Sequence, residues 1–425
     1  MTALDVRSAR WRYLVLVGLR WLPVGLLMPI FVLWPLSRGL SLTEIGLVFS
    51  VQGFVVLALE LPTGGLSDSL GRRPVLLVAS VIALVSLGLF AIADGAAMFA
   101  VAMVFQGIYR ALDSGPLEAW YVDATLAADP DAPIETGLSA GSSVLSVAIA
   151  IGALGTGALI ALHPVAGLDP LLLPLLLAIV GHGVHLGAVL VLMHEVKAPR
   201  GIAAIAASVR AVPGVIVDGI RLLRSSRVLL GLVSVELFWG FSMVTFESLF
   251  PIRLAGLVGG TDAAAALMGP IGSGAWFAAA GGAAAVVVLS RRIGVARSAA
   301  LLRVVQGASI VAMGLIAGVV GVVAAYLATY VAHGASNPMH TTLLHREVEG
   351  PNRTTVLSMN SMVAQPAGAI GTIVLSALAD GASVPAAMVV GGIVCAMAAP
   401  LYLPALRAER ARAARRGATP AAAAG

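Results

Sequence analysis

Charge is scarce in this sequence: Asp, Glu, Lys and Arg together make up 11% of its 425 residues, against about 25% in an ordinary soluble domain. A chain of this length with so little charge has no means of covering a globular surface in water, which excludes a soluble fold. Cysteine is nearly absent. The single Cys395 excludes an intrachain disulfide. Alternation of period two is missing, which excludes a transmembrane β-barrel. No small-residue cleavage site follows the basic N-terminus (Arg7, Arg10, Arg12), and the apolar run behind it is too long for a signal peptide. Loops large enough for a soluble domain, nucleophile–base pairs and metal-ligand spacings are also missing. The sequence therefore reads as a non-enzyme without cofactor or metal.

What is present is apolar sequence, 59% of the chain, with a mean hydropathy of +0.98. Residues 13–36, 74–93, 138–162, 170–193 and 385–404 run almost without charge, each close to the ~20 residues that cross a hydrocarbon core as a helix. Twelve spans are expected, near 12–36, 44–63, 74–93, 97–119, 138–162, 170–193, 228–252, 263–289, 298–317, 321–341, 356–379 and 385–404. The fold class is thus an all-α polytopic membrane protein. One set of alternate connections holds nearly all the arginines, among them Arg72, Arg73, Arg221, Arg224, Arg291, Arg292, Arg346 and Arg353, whereas the opposite set holds Arg38 and Arg253. That bias places both termini in the cytoplasm and the chain in the inner (plasma) membrane. It also accounts for a pI near 9.9 without nucleic acid, since no basic patch is interleaved with aromatics.

The polar stretch 194–227 divides the spans into halves, 1–193 and 228–404, with a tail at 405–425. Within it Ile202, Ile205, Val209, Val212, Ile216, Ile220 and Leu223 recur at helical spacing, predicting an interfacial helix interrupted at Pro213–Gly214. The tail is expected to be helical at first and then disordered.

The connection between the second and third spans reads Gly64-Gly65-Leu66-Ser67-Asp68-Ser69-Leu70-Gly71-Arg72-Arg73-Pro74. It resembles the signature of the major facilitator superfamily, G-x-L-x-D-x-x-G-R-R/K, matching at Gly64, Leu66, Asp68, Gly71, Arg72 and Arg73. An echo, Ser290-Arg291-Arg292-Ile293-Gly294, stands between spans eight and nine but lacks the acidic residue. The resemblance implies two six-helix halves around a cavity lined by spans one, four, seven and ten, opening to each side in turn. It also implies a cytoplasmic gate in which Asp68 meets a helix terminus or an arginine, and in which Glu118 and Asp123 face Arg72 or Arg73.

Ionisable residues inside spans are costly there and mark function by default. Arg110 and Asp113 lie three apart on span four, on one helical face and able to neutralise each other; an arginine in that span resembles a motif linked to proton coupling in drug antiporters. Span seven carries Glu236 and Glu247 with Phe238, Trp239, Phe241 and Phe246 nearby. A carboxyl group in that setting suits reversible protonation, and the aromatics suit an apolar or cationic substrate. Arg20 on span one has three roles open to it: binding an anion, pairing with a carboxylate such as Glu236, or snorkelling. Span ten offers His333 and Asn337, with His340 nearer the cytoplasm. Arg303, near the start of span nine, is expected to snorkel. His182 and His185 on span six do not make a metal site. Gly152-Ala153-Leu154-Gly155-Thr156-Gly157 on span five is buried in apolar sequence with no strand before it, so it reads as helix packing, not a nucleotide loop. The antiporters' Gly-Pro element in that span lacks its proline here.

The sequence accordingly points to a monomeric, proton-coupled exporter of small hydrophobic or drug-like molecules. Its partners would be the substrate, protons and the lipid bilayer. The alternative is a proton-coupled uptake symporter for a small anionic nutrient, with Arg20 and Arg110 as anion ligands. A membrane-embedded enzyme or receptor is the rival from another class.

Overall fold

A computed structural model describes residues 4–64, 66–194, 202–348 and 353–418, and among them the chain is helical with no strand. In chain order the helices are α1 (Val6–Leu27), α2 (Leu33–Ser37), α3 (Leu42–Gly64), α4 (Leu66–Leu70), α5 (Arg72–Ile92), α6 (Ala96–Asp113), α7 (Pro116–Ala128), α8 (Ile134–Leu162) and α9 (Leu172–Leu192). They continue as α10 (Ile202–Ser225), α11 (Arg227–Val244), α12 (Phe250–Val258), α13 (Thr261–Ile293), α14 (Val295–Leu315), α15 (Val319–Glu347), α16 (Arg353–Gly381), α17 (Val384–Met397) and α18 (Leu403–Ala418). A π-helical turn, Thr245–Leu249, joins α11 to α12, and a 3₁₀ turn, Ala399–Tyr402, precedes α18.

Among the described residues eleven stretches are long and apolar enough to cross a membrane, beginning with Leu42–Glu60 and ending with Val384–Arg412. They coincide with the second to twelfth expected spans. The first expected span, 12–36, is a different object. α1 carries Arg7, Arg10, Arg12 and Arg20, and it ends at Leu27 where a run of turns leads to α2. Pro29, with no N–H to donate, stands at that break. The fourth span is also broken: α6 stops at Asp113, Gly115 adopts φ +92°, and α7 restarts with Pro116 at its first position. α10 differs from expectation in the other direction, because it runs unbroken through Pro213. Residues 195–201 and 419–425, where the start of the linker and the expected disordered end fall, lie outside the described residues.

The chain forms two compact units, one of residues 1–212 with 251–274, the other of 213–250 with 275–425. In the first, α1 is central and packs on α8 and α9. The α1–α8 seam explains the small residues of span five. A Cβ on Gly152 would stand 2.5 Å from the Leu22 carbonyl oxygen and 2.7 Å from the Leu26 nitrogen. Thr156 Oγ1, one turn on, donates to the Leu26 carbonyl at 2.7 Å. With no hydrophobic drive between helices in lipid, such close backbone approach supplies the association energy. In the second unit α14 packs on α15 and α17, and α11 on α16.

Helix starts are set by local chemistry. Asp5 accepts from the Ser8 N–H at 2.9 Å as the cap of α1, and hydrogen bonding from the Ser8 hydroxyl and then from that N–H holds its carboxyl below the usual carboxylate range. Gly71 before α5 and Gly294 before α14 take φ +97° and +89°, conformations that disfavour any side chain. The two glycines belong to the signature and to its echo. The acid that the echo lacks is supplied by the tail: Glu409 of α18 accepts from the N–H groups of Val295 and Ala296, both at 3.2 Å, at the positive end of α14. Arg346 lies 3.4 Å from the same carboxylate, and Arg412 pairs with Glu347 at 2.7 Å.

Replacing Gly152 by Val is expected to destabilise the protein by about 1–3 kcal/mol through overpacking of the α1–α8 seam. Replacing Gly183, whose Cβ would meet nothing within 4 Å, is expected to change little. Thermal unfolding of the purified protein in detergent measures both.

Candidate functional site

Among the described residues each unit buries one arginine together with carboxyl, tyrosine and histidine groups, and the two sets are wired differently. In the first unit Arg20 of α1 is 8% exposed. Its Nη2 contacts Asp113 Oδ2 at 2.5 Å and donates to the Asp113 carbonyl at 3.0 Å, while Nη1 lies 3.6 Å from Glu118. Asp113 presents both oxygens because it closes α6, where the carbonyl has no helical partner. Tyr109, also buried, stands one turn before Asp113 with its ring edge-on to His182 at 5.9 Å.

This geometry corrects the pairing read on span four. Arg110 is exposed and makes no hydrogen bond or ion pair to a described residue, whereas Asp113 is buried. Three residues on a helix span 300°, so the two side chains diverge by about 60°, enough to turn one inward and the other out. Arg20 takes the second of its three open roles, with Asp113 in place of Glu236. At the signature loop, Arg72 binds Asp123 through Nε at 2.7 Å and Nη2 at 2.6 Å. Arg73 donates to the Leu190 carbonyl at 2.8 Å, and Glu118 faces Arg20 instead of either arginine. Leu66 is half-buried at the start of α4. Gly64 and Asp68 lie in helical backbone, but the Asp68 side chain falls outside the described residues.

In the second unit Glu236 of α11 is 5% exposed, and the group in ion-pair reach is His340 of α15, its Nε2 3.2 Å from Oε1. The same Nε2 is 3.1 Å from Asn360 Oδ1 and the other ring nitrogen is 3.0 Å from the Tyr402 hydroxyl. One tautomer satisfies all three contacts: Nε2–H directed at Glu236 and Asn360, and Nδ1 accepting from Tyr402. The sequence singled out Glu236 but gave its partners no role. Asn360 and Tyr402 come from the eleventh span and the end of the twelfth, and nothing in their local sequence marks them.

One turn above Glu236, Trp239 stacks on His333 with ring centres 5.8 Å apart and planes 12° apart. Phe246 and Tyr330 close the other sides of His333 at 5.6 and 6.0 Å. Trp239 and His333 are partly exposed, and Asn337, one turn along α15, is exposed with Thr341 donating to it at 3.4 Å. Glu247 is exposed on the π-helical turn, an element frequent at functional sites. Pro251 follows it and has no N–H to return to the Glu247 carbonyl.

Arg303 corrects the expectation of snorkelling. It sits eight residues inside α14, about 12 Å along the axis at 1.5 Å per residue, and is 3% exposed. Its head turns into the bundle, with Nη1 donating to Gln306 Oε1 at 2.9 Å and the guanidinium carbon 5.9 Å from the Trp239 ring.

These features define a polytopic helical membrane protein whose interior carries isolated, partnered charges. The sequence model of the Major Facilitator Superfamily matches residues 13–332, and the chain belongs to that superfamily of transporters. The uncharacterized MFS-type transporter YxaM of Bacillus subtilis (strain 168) is 28% identical over 103 residues, which are 24% of this chain. The match spans 26% of that relative's length. A mutant of the nucleoside transporter NupG superposes with a TM-score of 0.76 at 13% identity, over 93% of this chain and 99% of that one. A proton dependent oligopeptide transporter gives 0.70 at 14% identity over 95% and 99%. A bacterial homologue of the human lysosomal transporter Spinster gives 0.70 at 14% over 94% and 96%. Identities this low establish the shared fold.

The corrected pairing has a direct consequence. Asp113→Asn leaves Arg20 buried without its nearest anion, at a cost of about 3–5 kcal/mol, so folded yield and thermal stability are expected to fall sharply. Arg110→Ala should stay within about 0.5 kcal/mol of the parent. Equal losses from the two would restore the Arg110–Asp113 pair.

Proposed function

We propose that this transporter is proton-driven, that Glu236 with His340 forms the coupling site, and that it exports small, ring-bearing apolar molecules by alternating access. The observation that carries the proposal is the difference between the two buried carboxylates. Asp113 is held by a guanidinium, which keeps its charge at every accessible pH; a proton on Asp113 would strand Arg20. Glu236 has an imidazole in ion-pair reach, and an imidazole is neutral in one of its states. A proton can therefore enter or leave the Glu236–His340 pair without leaving a fixed charge in direct contact unpaired.

The aromatic wall of Trp239, His333, Phe246 and Tyr330 supports a ring-bearing substrate, since such faces bind planar groups by stacking. Exposed Arg110, Glu247 and Asn337 we assign to the substrate and coupling pathway. The uptake reading drew on Arg20 and Arg110 as anion ligands. Arg20 is engaged by Asp113 and Glu118, so export is the reading we keep. The loop Gly64–Arg73 with Asp123 we read as the cytoplasmic gate, supported by the Arg72–Asp123 pair; the gating acid would be Asp68. The arginine distribution supports two six-helix halves in the inner membrane with both termini in the cytoplasm; we take the transporter to act as a monomer.

Glu236→Gln mimics the permanently protonated carboxyl. Reconstituted into proteoliposomes with an imposed pH gradient and offered fluorescent ring-bearing dyes, it is expected to bind dye without pH dependence and to lose uphill accumulation. Uphill accumulation at the parental level by this variant would remove Glu236 from the coupling site.

A further inference from the structure

Arg303 is a buried cation without an ion-pair partner. Its hydrogen-bond partners are neutral: Nη1 donates to the Gln306 amide at 2.9 Å and the guanidinium also reaches the Tyr402 hydroxyl, its Nε has no partner, and no described carboxylate lies within 4.0 Å. A buried charge left in that state is costly, so it must be answered by charge at longer range. The titratable groups within its electrostatic reach are Glu236 on α11, His333 and His340 on α15, Cys395 on α17 and Tyr402 on the 3₁₀ turn. Glu236 is the one carboxylate among them; Glu247 acts on Tyr326 and Tyr330 instead. Trp239 lies on the helical turn after Glu236 and carries its ring 5.9 Å from the guanidinium. Tyr402 reaches His340 at 3.0 Å. Through Tyr402 the guanidinium is linked to His340, and through Trp239 to the helix that carries Glu236, while it touches neither member of the pair.

Resting on the assignment of Glu236–His340 as the coupling site, we propose that Arg303, oriented by Gln306, is a positioning residue that sets the pH at which this site takes up its proton. The cation favours an ionised Glu236 and opposes a proton on His340. Both effects act in the same direction, so the outcome does not depend on which of the two groups holds the proton. With Arg303 present, loading requires a more acidic medium; with its charge removed or cancelled, loading occurs at higher pH. Two unit charges that act on each other across a protein interior of effective dielectric about 20 interact by enough to move such a transition by about one pH unit.

The test is the pH profile, from pH 5 to 9, of dye transport by the full-length protein in proteoliposomes. Arg303→Gln removes the charge. Gln306→Glu keeps the arginine but sets a carboxylate beside Nη1 in place of an amide of the same shape, pairing the guanidinium and cancelling its field at Glu236. Both variants are expected to shift the midpoint up by about one unit, while Arg303→Lys, which retains the charge, keeps it near the parental value. If Arg303→Gln fails to fold, Gln306→Glu decides alone. A parental midpoint in folded Gln306→Glu overturns the proposal, because a purely structural arginine would lower activity without moving the profile. The two readings separate through Glu236→Gln. A profile that is flat there but unmoved in the Arg303 and Gln306 variants removes only the role of Arg303, whereas a pH-dependent profile there removes the coupling site itself.

Discussion

The structure depends on one constraint: a charge placed inside a helix bundle in lipid must find an opposite charge or a set of dipoles there, because water is not available to it. With 11% charged residues, the chain spends few charges on its spans, and those it buries are answered. Arg20 is answered by Asp113 and Glu118, Arg72 by Asp123, and Glu236 by His340 and Asn360. Arg303 is answered by an amide, an aromatic face and a carboxylate at a distance. The strength of each answer sorts the charges into fixtures and moving parts. A short guanidinium–carboxylate contact with two further acceptors, as at Arg20, resists any change of protonation. A carboxylate facing a neutral ring does not.

The same constraint shapes the helices around these groups. α6 ends at Asp113, which frees the carbonyl that Arg20 uses, and Gly115 with Pro116 restarts the chain as α7. The seam of Gly25, Gly152 and Thr156 brings α1 and α8 close. At the other end of the chain the tail helix α18 returns Glu409 to the start of α14, and the 3₁₀ turn before it brings Tyr402 to His340. A tail that read as a basic, Ala-rich appendage is therefore part of the second unit's core.

Much of the fold was legible because it rests on composition and on local pattern. Apolar runs of about twenty residues located eleven membrane-length helices, and the loop from Gly64 to Arg73 pointed to the superfamily. The site was legible only one residue at a time. Glu236, Asp113 and Arg20 stand out as ionisable groups in apolar sequence. Their partners do not, since Arg20 and Asp113 are 93 positions apart and helical spacing offered the nearer Arg110 instead. Helical spacing alone does not tell the buried face from the exposed one on a helix apolar all round, and it misassigned Arg110. Arg303 was misjudged for a related reason. Distance from the helix end allows an arginine to reach outward, and only the packing of α15 and α17 on α14, with Trp239 of α11 near the guanidinium, shows that it turns inward. Tyr402 and Asn360 carry no mark in sequence, because their roles come from what the fold sets beside them.

The central claim is that one buried carboxyl group, Glu236, changes protonation during the cycle while Asp113 does not. Infrared difference spectroscopy of the purified protein observes this directly, through the stretching band of a protonated carboxyl group as pH is stepped. The account predicts one titrating buried band that disappears in Glu236→Gln and persists in Asp113→Asn. A band that survives in Glu236→Gln and vanishes with Asp113 would contradict it.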